Sequence, residues 1–566
     1  MKTRTSNLLR RAGAVSSTAA LLALSMLGGT PPAAAITPPE IDVAALPDDG
    51  PPSPPEPMRQ GSYCTRVATL PNTDYRVQPR FMDMLNLAEA WEFGRGGGVK
   101  VAIIDTGVTP HPRLPRLTGG GDYVVSGGDG LEDCDAHGTW VASLIAAMPA
   151  DGRTPLPPAS ARERRPESVP TTEAPPPPPT PVTTIIEVPV PAPAEPPPAP
   201  PASWGGDDSA EPKVRLASWP VPLTPGGSGD APAPPAPPAG PVPPEDAFSG
   251  VAPDVELISI RQSSRAYSPK DAFGDQDPET RRKAGDVGSM ARAIVRAVNL
   301  GAQVINISQV SCMAAGEKID QRALGAAVRW AAVEKNVVIV AAAGNTGAGG
   351  NSGCQQNPVY DPMSPSDPRD WNGVKTVVTP AWFSDYVLTV GAVDSSGNPL
   401  SELSMAGPWV SIAAPGTDVV SLSPRDDGLI NATEGQNNTM VAPAGTSFSA
   451  AIVTGVVALV RARFPELTAH QVINRLLWTA RSPARGIDNQ VGHGVVDAVA
   501  ALTWDVPAGE PLPPERLASP LELPPPPPGR DMVPVWVSLG GIAAVAVLCV
   551  VVSAASSVLR PERGRR

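Results

Sequence analysis

Three short segments each set a reactive side chain at the edge of regular structure: 101-VAIIDTGVTPHPRL-114, 137-HGTWVASLIAA-147 and 445-GTSFSAAIVTGVVALV-460. Asp105 closes an apolar run with the character of a parallel strand, the place where ligands bind in open α/β sheets. His137 and Ser447 each stand at the start of a helical segment, after a turn residue. A serine hydroxyl is a poor nucleophile until an imidazole takes its proton. The imidazole in turn needs a carboxylate to fix its tautomer and stabilise its cation. Asp105, His137 and Ser447 supply those three groups. Taken singly, each has a plainer reading as a strand-end turn residue, a helix cap and an N-cap; together they supply the parts of a nucleophilic catalytic set.

The other titratable groups lack such company. His111, His470 and His493 read as structural, and Asp135 as a turn or capping group rather than a second triad carboxylate. No Cys or His cluster has zinc-ligand spacing, and no acidic loop specifies a calcium site, so neither metal nor cofactor is expected. The formal charge of -12 argues against nucleic acid as a partner.

These residues need a scaffold, and the chain supplies one by alternation. A short helix and glycine turn in 87-LAEAWEFGRGGGVKVAIIDTGV-108 lead into strand 99–105. Strand 255–260, helix 286–301, strand 303–308, helix 319–336 and strand 337–343 follow, then strands 386–393 and 409–414. Strands alternating with helices of this length imply βαβ crossovers and a mainly parallel sheet covered on both faces. Helix 446–464 is apolar on most faces and is expected to be central and buried. An amphipathic helix at 468–480 and the run 493–504 close the folded part, which spans residues 81–504.

Two kinds of sequence interrupt this rhythm. Residues 36–80 are rich in Pro and acidic residues and read as an extended N-terminal arm. Residues 149–248 contain 32 prolines and no apolar stretch of core length, so this insert is expected to be disordered. Its segment 182-VTTIIEVPV-190 is either a solvated linker or a strand that docks on a partner. A second proline-rich tract, 505–532, reads as a stiff spacer.

The ends of the chain place it. Residues 1–35 carry Lys2, Arg4, Arg10 and Arg11 before an apolar run ending in small residues, the pattern of a secretory signal peptide; an uncleaved anchor is the other reading. Residues 533–559 form a 27-residue stretch without charge. At ~1.5 Å per residue that exceeds a ~30 Å hydrocarbon core. The basic tail 560–566 is expected to stay cytoplasmic, so everything between signal and anchor is exported. Cys549 falls within the membrane span, which leaves Cys64, Cys134, Cys312 and Cys354 in an oxidising compartment with three possible connectivities.

The Asp, His and Ser segments resemble the corresponding boxes of the subtilisin-like serine proteases, in that family's chain order. An α/β-hydrolase would run Ser, Asp, His, and a chymotrypsin-like enzyme His, Asp, Ser. The resemblance implies a three-layer α/β fold and adds 341-AAAGNTG-347, whose Asn345 would donate to the tetrahedral oxyanion. It also implies that Ser308, Gln309 and Val310 line the substrate cleft, with Gln309-Val310 standing where many subtilases have glycines. Signal, protease domain, spacer, membrane helix and basic tail together resemble the mycosins, membrane-anchored subtilisin-like proteases of mycobacterial type VII secretion systems, and the insert is closest to the mycosin-5 type. That resemblance implies an arm that wraps the domain, with Cys64 bridged to Cys134 and Cys312 to Cys354. It further implies polypeptide substrates and contacts with type VII membrane-complex subunits at the inner membrane. Two roles follow: proteolysis of exported proteins, or a structural, complex-stabilising role in which proteolysis is dispensable.

Overall fold

Six runs rich in Val, Ile and Ala and one glycine-rich run, β2, form one sheet: β1 (Lys100–Asp105), β2 (Leu117–Asp122), β3 (Glu256–Arg261), β4 (Val304–Ile307), β5 (Val338–Ala342), β6 (Val387–Val393) and β7 (Val410–Pro415). Their order is β7-β6-β5-β4-β1-β3-β2, and every pairing is parallel. The computed structural model describes residues 36–150, 246–270, 278–347, 353–359, 367–435, 439–517 and 532–558. The expected signal peptide, nearly all of the proline-rich insert, the distal part of the spacer and the basic tail lie outside the described residues.

Alternation along each strand creates two cores. Val101 and Ile103 face one, while Ala102 and Ile104 face the other, as the two-residue period of a strand demands. The first core packs under α1 (His137–Ala146), α4 (Thr446–Arg463), α5 (Ala469–Thr479) and α6 (Ala498–Thr503). The second packs under α2 (Pro278–Asn299) and α3 (Arg322–Arg329). The result is a three-layer fold with α4 buried along nearly its whole length. The amphipathic α5 carries a full capping box, in which Thr468 and Gln471 satisfy each other's backbone N–H groups.

The proline-rich insert leaves and returns at one point. Gly250 N donates to Ala147 O at 2.8 Å and Val251 N to Leu144 O at 2.9 Å. Arg113, nearly fully buried, holds both stems: its guanidinium donates to Met148 O (2.6 Å) before the insert, and to Asp246 (2.9 Å) and Phe248 O (2.5 Å) after it. Residues on either side of the insert therefore contribute to the same sheet.

The arm adheres through small antiparallel ladders. Met58–Gln60 pairs with Tyr267–Pro269, and Val67–Ala68 pairs with Ala432–Glu434. Cys64 is bridged to Cys134, tying the arm to the turn before α1, and Cys312 is bridged to Cys354. The proximal spacer differs from a free-standing rod. Thr468 Oγ1 donates to Pro511 O at 2.6 Å, Ile41 N donates to Arg516 O at 2.8 Å, and Arg329 meets Glu515 at 2.6 Å. The carbonyls of Pro511 and Arg516 are thus taken by the α5 cap and the arm. Beyond it, α7 (Val533–Val558) is long and apolar enough to cross a membrane and touches none of the domain core. Helix α4 passes the same length and composition test but is buried.

Candidate active site

β1 delivers Asp105 at its carboxyl end, fully buried. Asp105 Oδ1 accepts from Thr106 N at 2.7 Å and lies 2.7 Å from His137 Nδ1. Against a carboxylate at that distance the imidazole carries its proton on Nδ1, which frees Nε2 to act as base. His137 reaches this position because Ala136 adopts left-handed φ of 65°, swinging the chain into α1. The next residue must be glycine, since a Cβ on Gly138 would sit 1.9 Å from Gly107 O.

A buried carboxylate that the sequence reading did not single out holds the Asp and His segments together. Asp133 accepts from Thr106 Oγ1 (2.8 Å), Thr139 N (2.8 Å) and Thr139 Oγ1 (2.7 Å), while Thr106 Oγ1 accepts from Gly138 N (2.9 Å). Its position four residues before His137, ahead of a helix, is the signal that would have found it. Burial pushes the Asp133 carboxyl up to about 6, with the nearby charge of Asp135 adding to the effect against its three hydrogen bonds. Asp135 itself accepts from Arg265 N at 2.9 Å and from Ser264 Oγ, anchoring a loop across the site.

For His137, burial disfavours the charged ring, but the charge and hydrogen bond of Asp105 outweigh it. Asp133 adds to the raising influence and Arg265 opposes it, so the ring lies above its ordinary value of 6.5. The side chain keeps 26% of its surface exposed, enough for a substrate to reach it.

Ser447 is the second residue of α4, and the ring of the following Phe448 lies 5.9 Å from that of His137. The Ser447 hydroxyl donates to Ser308 O at 3.2 Å. Ser308 Oγ lies 2.9 Å from Asn306 Oδ1 and 3.1 Å from Ser447 O, and Asn306 Nδ2 donates to Thr454 Oγ1 at 2.9 Å. This chain of polar contacts fixes the end of β4 against the first turns of α4. Asn345 Oδ1 accepts from Thr446 N at 3.1 Å, which orients the amide so that Nδ2 remains as a donor beside Gly445. A Cβ on Gly445 would stand 3.1 Å from that Nδ2.

Of the expected cleft residues, Ser308 contacts Ser447, whereas Gln309 places its amide nitrogen 3.0 Å from His137 Nδ1 and 3.4 Å from Asp105 Oδ1. Val310 packs partly into the core. His111 accepts from Arg113 N at 3.0 Å, close to the insert stems, and His470 and His493 lie on other segments. Among the described residues, no group of three His, Cys, Asp or Glu side chains has metal-binding geometry.

Comparison with known proteins gives a consistent picture. The Subtilase family model matches residues 236–494, a span that holds Asn345 and Ser447; the Asp and His segments precede it, across the insert. Mycosin-5 of Mycobacterium tuberculosis (strain ATCC 25618 / H37Rv) is 59% identical over 98% of this chain and 97% of its own length. A chain of the intact ESX-5 inner membrane complex superposes with a TM-score of 0.68 at 56% identity, covering 92% of this chain and all of that one. MycP1 from the ESX-1 type VII secretion system matches with a TM-score of 0.65 at 39% identity, over 85% of this chain and all of its own.

Proposed function

The chain belongs to the mycosins, subtilisin-like serine proteases, and from that premise we propose that Asp105, His137 and Ser447 form its catalytic triad and Asn345 its oxyanion donor. The observation that carries the assignment is the 2.7 Å contact between the buried Asp105 carboxylate and His137 Nδ1, with the Ser447 turn alongside. Ser447 Oγ turns from Ser308 O to His137 Nε2, gives up its proton there and attacks the scissile carbonyl. Asp105 stabilises the resulting imidazolium. The oxyanion is met by Asn345 Nδ2, held in place through Oδ1 by the first turn of α4. His137 then protonates the departing amine, leaving an acyl-Ser447 enzyme, and activates water for its hydrolysis.

The substrates are exported polypeptides, bound along Ser308, Gln309 and Val310. The protein sits in the inner membrane through α7, with its catalytic domain outside the cytoplasm, its basic tail inside, and contacts to the subunits of a type VII secretion complex. The identity of the ESX-5 complex chain supports this placement. A structural role alongside proteolysis is favoured by the arm and proximal spacer, which are hydrogen-bonded to the domain. Complementing a strain that lacks the chromosomal copy with Ser447→Ala separates the two roles. Lost secretion makes proteolysis essential; restored secretion with loss of peptide hydrolysis makes assembly the essential role. Hydrolysis that persists in Ser447→Ala overturns the triad.

A further inference from the structure

The dipeptide Ser308-Gln309 touches every member of the proposed triad. Ser308 O holds the Ser447 hydroxyl at 3.2 Å, and the Gln309 amide lies 3.0 Å from His137 Nδ1 and 3.4 Å from Asp105 Oδ1. The NH2 end of that amide faces the pair: it donates to the Asp105 carboxylate, which only accepts, and meets the protonated Nδ1 of His137 donor to donor. Its electropositive hydrogens therefore stand beside the ring that becomes positive when His137 takes the serine proton. The same contact engages the carboxylate charge that would otherwise go to stabilising the imidazolium.

We propose that Gln309 is a positioning residue that restrains the general base: in the unliganded enzyme it donates to Asp105 and sets its NH2 against the protonated Nδ1 of His137, lowering the basicity of the ring. This rests on the triad assignment above and deepens it. Ser308 acts in the same sense, keeping the Ser447 hydroxyl turned from the imidazole. A substrate N–H that engages the Ser308 carbonyl competes with Ser447 for it, and movement of this segment withdraws the Gln309 amide as well. The groups that otherwise set the charge on His137 are Asp105 and Asp133, which favour the imidazolium, and Arg265, which opposes it. Gln309 adds a fourth influence, neutral in net charge but directed by its dipole.

The test uses full-length protein in detergent and a small alkyl fluorophosphonate, which reacts at an activated serine without needing an extended peptide. Its inactivation rate is measured from pH 5 to 9.5 for wild type, Gln309→Ala and Gln309→Glu. The midpoint of the acid limb should rise in the order wild type, Ala, Glu, by roughly half a unit and then at least about one unit, because the last change replaces an amide dipole with a full negative charge near 3 Å. The plateau rate at high pH should rise about 2- to 5-fold in Gln309→Ala, as expected for a stronger base. A midpoint that falls or stays fixed in either variant overturns the proposal, as does a plateau that does not rise in Gln309→Ala. Wild type that fails to label at Ser447 refutes the triad instead, which keeps the two failures distinct.

Discussion

Substituting Asp133 by Asn separates its charge from its shape. The wild-type carboxyl is held at about 6 in the folded protein against an ordinary 3.8, a difference of about two units, or about 3 kcal/mol. Because the side chain is almost wholly buried, solvent screening removes little of this. The sign follows from proton binding. Between about pH 4 and 6 the native state keeps a proton that the unfolded chain has released, so this contribution to stability is present at low pH and is lost as pH rises through about 6. Asn has no such proton, and other buried carboxyls such as Asp286, also raised to about 6, are common to both proteins and cancel. Denaturant unfolding at pH 4 and pH 7 should show the stability of Asp133→Asn gaining on wild type by up to about 3 kcal/mol between the two conditions. The acid limb of activity should also move down, since the Asp133 charge favours protonated His137. A gap between the two proteins that is the same at both pH values refutes the reasoning.

Further outcomes follow from the same contacts. Asn345→Ala should lower turnover by about 10²- to 10³-fold with little change in KM, the size of effect known for the corresponding donor in subtilisin; steady-state kinetics on a chromogenic peptide measures it. Replacing residues 151–245 by a short Gly/Ser linker should leave the thermal transition within a few degrees of wild type, because Arg113 and the Ala147–Gly250 bond already join the stems. Loss of the cooperative transition would show that the insert is part of the core. Cys64→Ser with Cys134→Ser opens a loop of 70 residues and should cost up to about 4 kcal/mol of stability by loop entropy, read by denaturant midpoint.

The sequence made six strands of the sheet legible because each of these is a short apolar run bounded by turns. β2 escaped because its residues, 117-LTGGGD-122, carry no strand periodicity; its place at the sheet edge is set by pairing with β3. Helix α2 begins at Pro278 rather than 286 because its charged first turns give no apolar stripe. Helix 319–336 is divided instead, with α3 passing into a wider turn at Trp330–Glu334. At the site, Asp105, His137 and Ser447 stood out as candidates because the chemistry ties residue type to local context, and Asn345 through the resemblance of 341-AAAGNTG-347 to the subtilase segment. Asp133 and the side-chain direction of Gln309 were not, since both depend on contacts between segments brought together only by the fold.

The most direct test of the account is where a fluorophosphonate attaches. Mass spectrometry of the labelled full-length protein should place one adduct on Ser447, with labelling abolished by Ser447→Ala and strongly slowed by His137→Ala. An adduct on another residue, or undiminished labelling in Ser447→Ala, would contradict it.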